Sequence, residues 1–157
     1  MIPEKIISGG QTGVDQAGLD AAMELGIPHG GSCPLGRRSE NGPIPSKYLL
    51  KETQSEFYRD RTTRNVQDSN GTAIFISGSI DAEPGSALTL NLCKVNERPV
   101  LLVNLLVDSI EVAAEMVREF VEKHQIKILN IAGSRASISP GIGAKVVKVL
   151  KLAFSEE

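Results

Sequence analysis

Three short stretches of the chain combine glycine with hydroxyl or guanidinium side chains in the way that receives an anion. Gly9-Gly10-Gln11-Thr12-Gly13 follows the run Lys5-Ile6-Ile7-Ser8 and precedes Val14, Ala17, Ala21 and Leu25 at helical spacing. Ser77-Gly78-Ser79, with Pro84-Gly85-Ser86-Ala87-Leu88-Thr89 behind it, follows Thr72-Ala73-Ile74-Phe75-Ile76. Ala132-Gly133-Ser134-Arg135, with Ser137 and Ser139, follows Lys127-Ile128-Leu129-Asn130-Ile131. Glycine accepts positive φ and has no Cβ, so main-chain amides can close on an oxyanion, and a helix starting there adds unpaired N–H groups and partial positive charge. Gln11, Thr12, Ser77, Ser86 and Thr89 add polar contacts, and Arg135 can grip a phosphate through two bonds. Each feature also has a plainer reading: the glycines as a tight turn, Ser86 as a helix cap, Arg135 as a solvated loop side chain, and Asp15 as a carboxylate favouring its helix's first turn.

Several chemistries are disfavoured. No Lys-Ser/Thr pair follows the first loop as a P-loop requires. The G-x-G-x-x-G dinucleotide fingerprint is absent, and no acidic residue ends a clear second strand where a ribose would be held. Cys33 and Cys93 have neither C-x-x-C spacing nor a flanking histidine pair, which argues against a zinc site or a disulfide framework and suits a reduced cytoplasm. His29 and His124 stand apart and are not nominated as bases.

These loops need rigid elements to aim them. Strands at 5–8, 72–76, 99–104 and 127–132 alternate with helical patterns after Gly13, near 86–97, through Ile110 to Val121, and from about Pro140 to Phe154. Pro140 suits the first turn of that last helix. Near-continuous apolar strands between helices predict an α/β fold, a doubly wound, mostly parallel sheet with both faces covered. In such sheets ligands bind beyond the carboxyl ends of the strands.

With 157 residues, 41% of them apolar, one domain over 1–157 is expected. The exception in texture is an irregular Arg-rich segment at about 30–70, expected to fold over the site. It carries Arg37, Arg38, Lys47, Lys51, Arg59, Arg61 and Arg64 against Glu40, Glu52, Glu56 and Asp60. Elsewhere the balance is even: 17 basic and 19 acidic residues give a net charge of -2, and only 4% of residues are aromatic. That disfavours nucleic acid, which wants a broad basic face with stacking platforms, and leaves a local site for a phosphorylated small molecule. No apolar run approaches bilayer length and no signal pattern opens the chain, so no membrane association is expected.

Taken together, Ser8-Gly9-Gly10-Gln11-Thr12-Gly13-Val14-Asp15, Cys33-Pro34-Leu35-Gly36-Arg37, Glu40, Gly42, Ile44-Pro45 and Tyr48, Arg61-Thr62 with Asn65-Val66, Ser69-Asn70-Gly71-Thr72, and Leu129 to Arg135 with Pro140-Gly141-Ile142 cover nearly the whole chain. In these motifs it resembles the family named putative molybdenum cofactor carrier proteins, within the Rossmann-like proteins related to lysine-decarboxylase-like phosphoribohydrolases. The resemblance implies a cytoplasmic, often homo-oligomeric binding protein that holds the pterin-based molybdenum cofactor, a pterin phosphate, with no established chemistry on it. It places Gly9 to Gly13, Ser86, Thr89 and Arg135 along the site, with Arg61 and Arg64 closing over it and Arg37 and Asn65 among its motif residues. Ser77, Gly78, Gly85 and Gly133 complete the loops.

Two departures stand out. The family's glycine-glycine-threonine start to the middle helix is Pro84-Gly85-Ser86 here. Laid on the phosphoribohydrolase pattern, Thr89 matches, but Asn91 takes the catalytic glutamate's place, and an amide cannot act as that acid or base. The alternative reading is a nucleotide-binding sensor or a nucleotide-processing hydrolase, with Glu40 or Asp15 as its acidic group.

Overall fold

The apolar runs form strands, and the glycine loops stand at their exits. The computed structural model describes residues 1–156. In chain order the elements are β1 (Lys5–Ile7), α1 (Val14–Leu25), β2 (His29–Gly30), β3 (Ser32–Cys33), β4 (Arg38–Ser39), β5 (Gly42–Pro43), β6 (Lys51–Glu52), α2 (Tyr58–Asp68), β7 (Gly71–Ile76), α3 (Pro84–Val95), β8 (Val100–Asn104), α4 (Ile110–His124), β9 (Ile128–Gly133) and α5 (Ile142–Phe154). The central sheet has the order β2-β1-β9-β7-β8, and every pairing in it is parallel. Because β9 inserts between β1 and β7, with Ile7 opposite Asn130 and Phe75 opposite Gly133, the three glycine loops leave the sheet side by side.

β7 shows why the run Gly-Thr-Ala-Ile-Phe-Ile is apolar throughout: all six residues are buried. Ala73 and Phe75 point into the larger core with Val14 and Ala21 of α1, Val117 and Val121 of α4, and Val146 and Leu150 of α5. Ile74 and Ile76 face the opposite side, where Val66 of α2 and Leu92 and Cys93 of α3 supply the cover. Helices on both faces of a parallel sheet make this a single-domain, doubly wound, Rossmann-like α/β fold.

The segment expected to be irregular is more ordered than its sequence suggests. Residues 31–57 hold two minor strand pairs, β3 with β6 and β4 with β5. Arg37 staples them by donating to the carbonyls of Ile44, Pro45 and Tyr48 at 3.1, 2.8 and 2.8 Å. A small second core of Leu19, Cys33, Ile44 and Tyr48 seals the segment onto α1. There the Tyr48 hydroxyl donates to Asp20 at 2.8 Å, and burial, then that acceptor, push the phenol well above its ordinary range. Residues 58–68 form a helix whose buried side chains are Thr62, Asn65 and Val66. With one buried apolar residue in eleven, it buries a polar face and has no apolar stripe to mark it in the sequence.

The prolines also trade places. Pro140 precedes α5, whose N-cap is Gly141, whereas Pro84 occupies the first turn of α3, where its missing N–H leaves no gap in the helix.

Gly13 caps α1 at φ 81 and ψ -123, a region that side chains resist. A Cβ there would sit 2.5 Å from the Ser134 carbonyl oxygen, which accepts the Val14 N–H and ties the first glycine loop to the third. Gly13→Ala is therefore expected to lose about 3 kcal/mol, the sum of backbone strain and a main-chain clash. For a chain of this size that lowers the melting temperature by roughly 6–12 °C, measurable by circular dichroism.

Candidate functional site

At the exits of β1, β9 and β7 lies a cavity of about 150 Å³. Its wall includes Gln11 and Asp15 from the first loop and α1, Tyr58, Arg61 and Thr62 from α2, Glu83 to Ser86 and Thr89 at the start of α3, and Gly133 to Arg135 after β9. Four separate stretches of sequence converge there because the strand order puts their elements next to one another.

The amides of the first loop mostly face inward, to the loop itself. Gly10 N–H donates to Ser8 Oγ, Gln11 N–H to Asp15 Oδ2 at 3.2 Å, and Thr12 N–H to Gln11 Oε1 at 3.1 Å. Most of those of the third loop bind its neighbours: Ser134 N–H donates to the Phe75 carbonyl, Ala136 N–H to Thr12 Oγ1 and Ser137 N–H to Glu40, while among the described residues the Arg135 N–H has no such partner. The N–H groups of Gly85 and Ser86 differ. They precede the first bond of α3, from Ala87 N–H to the Glu83 carbonyl, and both residues line the cavity. The positive end of a twelve-residue helix is thus aimed into it.

Arg61 supplies the formal charge. Its side chain is 12% exposed and its Nη1 lies 3.7 Å from Asp15 Oδ2, too long for a hydrogen bond, while donating to Thr62 Oγ1 at 3.0 Å. Its buried Nε has no hydrogen-bond partner. A buried donor without an acceptor costs about 1–3 kcal/mol, more when charged. The position is made possible by Gly9: a Cβ on that residue would stand 2.6 Å from Nη1.

Asp15 is buried beside it. Burial pushes its carboxyl above the usual 3.8, and Arg61, the Gln11 amide and Arg135 offset this only in part. A carboxyl with a folded pKa above its unfolded one keeps a proton that the unfolded chain releases. Its stabilising contribution is full below 3.8 and declines as pH rises through the folded value. Asp15→Asn removes that dependence. Denaturant titrations from pH 4 to 8 should therefore show the stability of the variant gaining on the wild type as pH rises, the opposite of what an ordinary paired carboxylate gives.

Two more carboxylates brace the walls. Glu83, buried at the N-cap of α3, accepts the Ser86 hydroxyl at 3.2 Å and the Ser134 hydroxyl at 2.5 Å, joining the second and third loops. Glu40 accepts Thr12 Oγ1, the Ser137 hydroxyl at 2.5 Å and the Ser137 amide at 3.2 Å. Desolvation pushes its pKa up, but the Ser137 and Thr12 hydroxyls, the Ser137 amide and Arg135 together hold it below the ordinary value.

The structure gathers Gln11, Arg61, Gly85, Ser86, Thr89, Gly133 and Arg135 at this cavity. Gly9 adjoins it through Arg61, and Thr12 and Gly13 act as ties between loops. Other expected residues stand elsewhere. Gly10 packs toward Leu50 and Ile44, Arg37 is the staple already described, and Arg64 lies on the outer side of α2 in a groove with Asp60 and Thr63. The Asn65 side chain brackets the backbone of Ser32, accepting at 2.8 Å and donating at 2.9 Å. Gly78 is braced on both sides by the Asn104 amide, and neither it nor Ser77 lines the cavity. Tyr58, Glu83 and Ile138 are lining residues that sequence reasoning missed. Glu83 carried a usable signal, since an acidic residue before Pro-Gly at a helix start is an N-cap candidate. Asn91, at the position compared with a catalytic glutamate, is exposed on α3 and is not among the lining residues.

The circularly permutated YpsA SLOG family matches residues 6–154. Among solved structures, the chain is 41% identical to the protein from Syntrophus aciditrophicus SB whose 1.45 Å crystal structure bears the name "Putative molybdenum carrier protein", with a TM-score of 0.94, covering 98% of this chain and 96% of that one. No curated protein matches the chain.

Proposed function

The chain belongs to the circularly permuted YpsA SLOG family, and on that premise we propose that it is a binding protein whose cavity takes the anionic end of a phosphorylated small molecule. The observation that carries the reading is Arg61: a nearly buried guanidinium on the cavity wall whose one hydrogen bond among the described residues goes to the Thr62 hydroxyl and whose contact to Asp15 is loose. The N–H groups of Gly85 and Ser86 enter the same space, so charge and helix dipole converge on one negatively charged group. The neighbour's name speaks of carrying molybdenum, and carriage of the molybdenum cofactor is the specific role we infer from it together with the motif resemblance.

Size bears on that choice. Whole ligands of drug size occupy about 300–1,000 Å³, and this cavity has about 150 Å³. It suits a phosphate and the atoms next to it, so a pterin ring would have to extend past the mouth, across Tyr58 and Ile138.

A second reading, the processing of a nucleotide, draws support from Asp15 and Glu83, which bring two carboxyl groups to the same cavity. Native mass spectrometry of the purified protein, followed by a thermal-shift panel, separates the two. A ligand at about 100 times its Kd adds roughly 2.7 kcal/mol of stability, or about 5–10 °C here. A retained pterin phosphate and a shift with pterin phosphates support carriage. A shift with nucleoside monophosphates alone, or release of free base from them, replaces carriage with the second reading.

A further inference from the structure

Three guanidinium groups surround one aromatic ring at the mouth of the cavity. The central carbons of Arg38, Arg61 and Arg135 lie 4.7, 5.4 and 5.9 Å from the centroid of Tyr58. They come from β4, α2 and the loop after β9, so tertiary structure, not sequence proximity, brings the three charges together. An aromatic face attracts a cation, but three cations on one ring also repel one another.

The chain's own acceptors leave much of this charge unanswered. Arg38 donates through Nη1 to the Glu56 carbonyl at 3.2 Å and is otherwise exposed. Arg61 has only the Thr62 hydroxyl and a loose contact to Asp15, a carboxyl that burial drives toward its neutral form. Among the described residues, Arg135 makes no side-chain ion pair within 4.0 Å. One anionic group at the inner wall, against Arg61 and the start of α3, would leave Arg38 beyond its reach, since Arg38 does not line the cavity.

We propose that Arg38 and Arg135, positioned on Tyr58, form a second anion subsite at the mouth, so that the ligand carries two anionic groups a bond or two apart, a diphosphate or its equivalent. This rests on the reading of the cavity given above. Arg61 lies between the two positions and serves both, the inner group taking the amides of Gly85 and Ser86 and the outer one the two loop guanidinium groups. A ligand of that class has charge at both ends of the opening, which a monophosphate lacks.

Inorganic pyrophosphate and inorganic phosphate are the probes, titrated calorimetrically into wild type, Arg38→Gln and Arg38→Lys. Arg38 is exposed and outside the cavity wall, so both variants should melt with the wild type. Pyrophosphate is expected to bind at least tenfold more tightly than phosphate. Arg38→Gln should erase most of that preference while leaving phosphate binding unchanged, and Arg38→Lys should restore part of it. Equal losses for both probes in Arg38→Gln, or no loss for either, overturn the second subsite while the inner one stands. Failure of both probes to bind wild type overturns the inner site and the outer one together.

Discussion

Replacing Arg61 with methionine should weaken pyrophosphate binding about a hundredfold while the fold survives. A hydrogen bond to a charged group is worth about 1.5–3 kcal/mol, and a guanidinium facing an oxyanion makes two of them. Methionine keeps an unbranched apolar stem and removes the charge. The stability cost arises at Asp15, which would lose its cation. Breaking a fully buried ion pair costs about 3–5 kcal/mol. The loss should be smaller here, because the contact is 3.7 Å and the carboxyl is already inclined to hold a proton. The double variant Asp15→Asn/Arg61→Met tests this division. It should recover much of the melting temperature lost by Arg61→Met and none of the affinity. If instead the single variant binds pyrophosphate as the wild type does, Arg61 is a structural cation and the cavity needs another explanation.

The sequence made the sheet legible because burial on both faces writes itself plainly: Thr-Ala-Ile-Phe-Ile admits no amphipathic reading, and three of the four such runs lead into glycine. Helix α2 was hidden for the converse reason. It buries Thr62, Asn65 and Val66 and holds the rest outward, so its side chains serve hydrogen bonds and charge instead of an apolar stripe. That concealment cost the site Tyr58, one turn ahead of Arg61 on the same helix. Glycine loops identified the correct end of the sheet, but which amides would be spent could not be read from spacing. Ser8, Asp15 and Gln11 satisfy the first loop from within, a matter of side-chain rotamers and not of residue type. Among the free amides are those at the start of α3, where Pro84 and Glu83 open the helix and a Cβ at Gly85 would meet no atom within 4 Å.

The sharpest separation of fold from function lies at Gly9. Its φ is not among the positive ones, so an alanine meets no backbone penalty there. Reducing the freedom of the unfolded chain can even contribute about 0.4–1 kcal/mol of stability. The three atoms nearest to it belong to Arg61, with Nη1 at 2.6 Å and Cζ and Nε at 2.7 Å from the new methyl. A guanidinium is the far end of a flexible side chain and can swing aside, which relieves the overlap but carries the charge off the cavity wall. Gly9→Ala should therefore melt within a few degrees of wild type yet bind pyrophosphate at least tenfold more weakly. Because both changes act through one group, Gly9→Ala/Arg61→Met should bind no worse than Arg61→Met alone, a non-additivity that two independent sites would not give. Full additivity would mean that the methyl acts on the loop instead, and that Gly9 was selected for its turn.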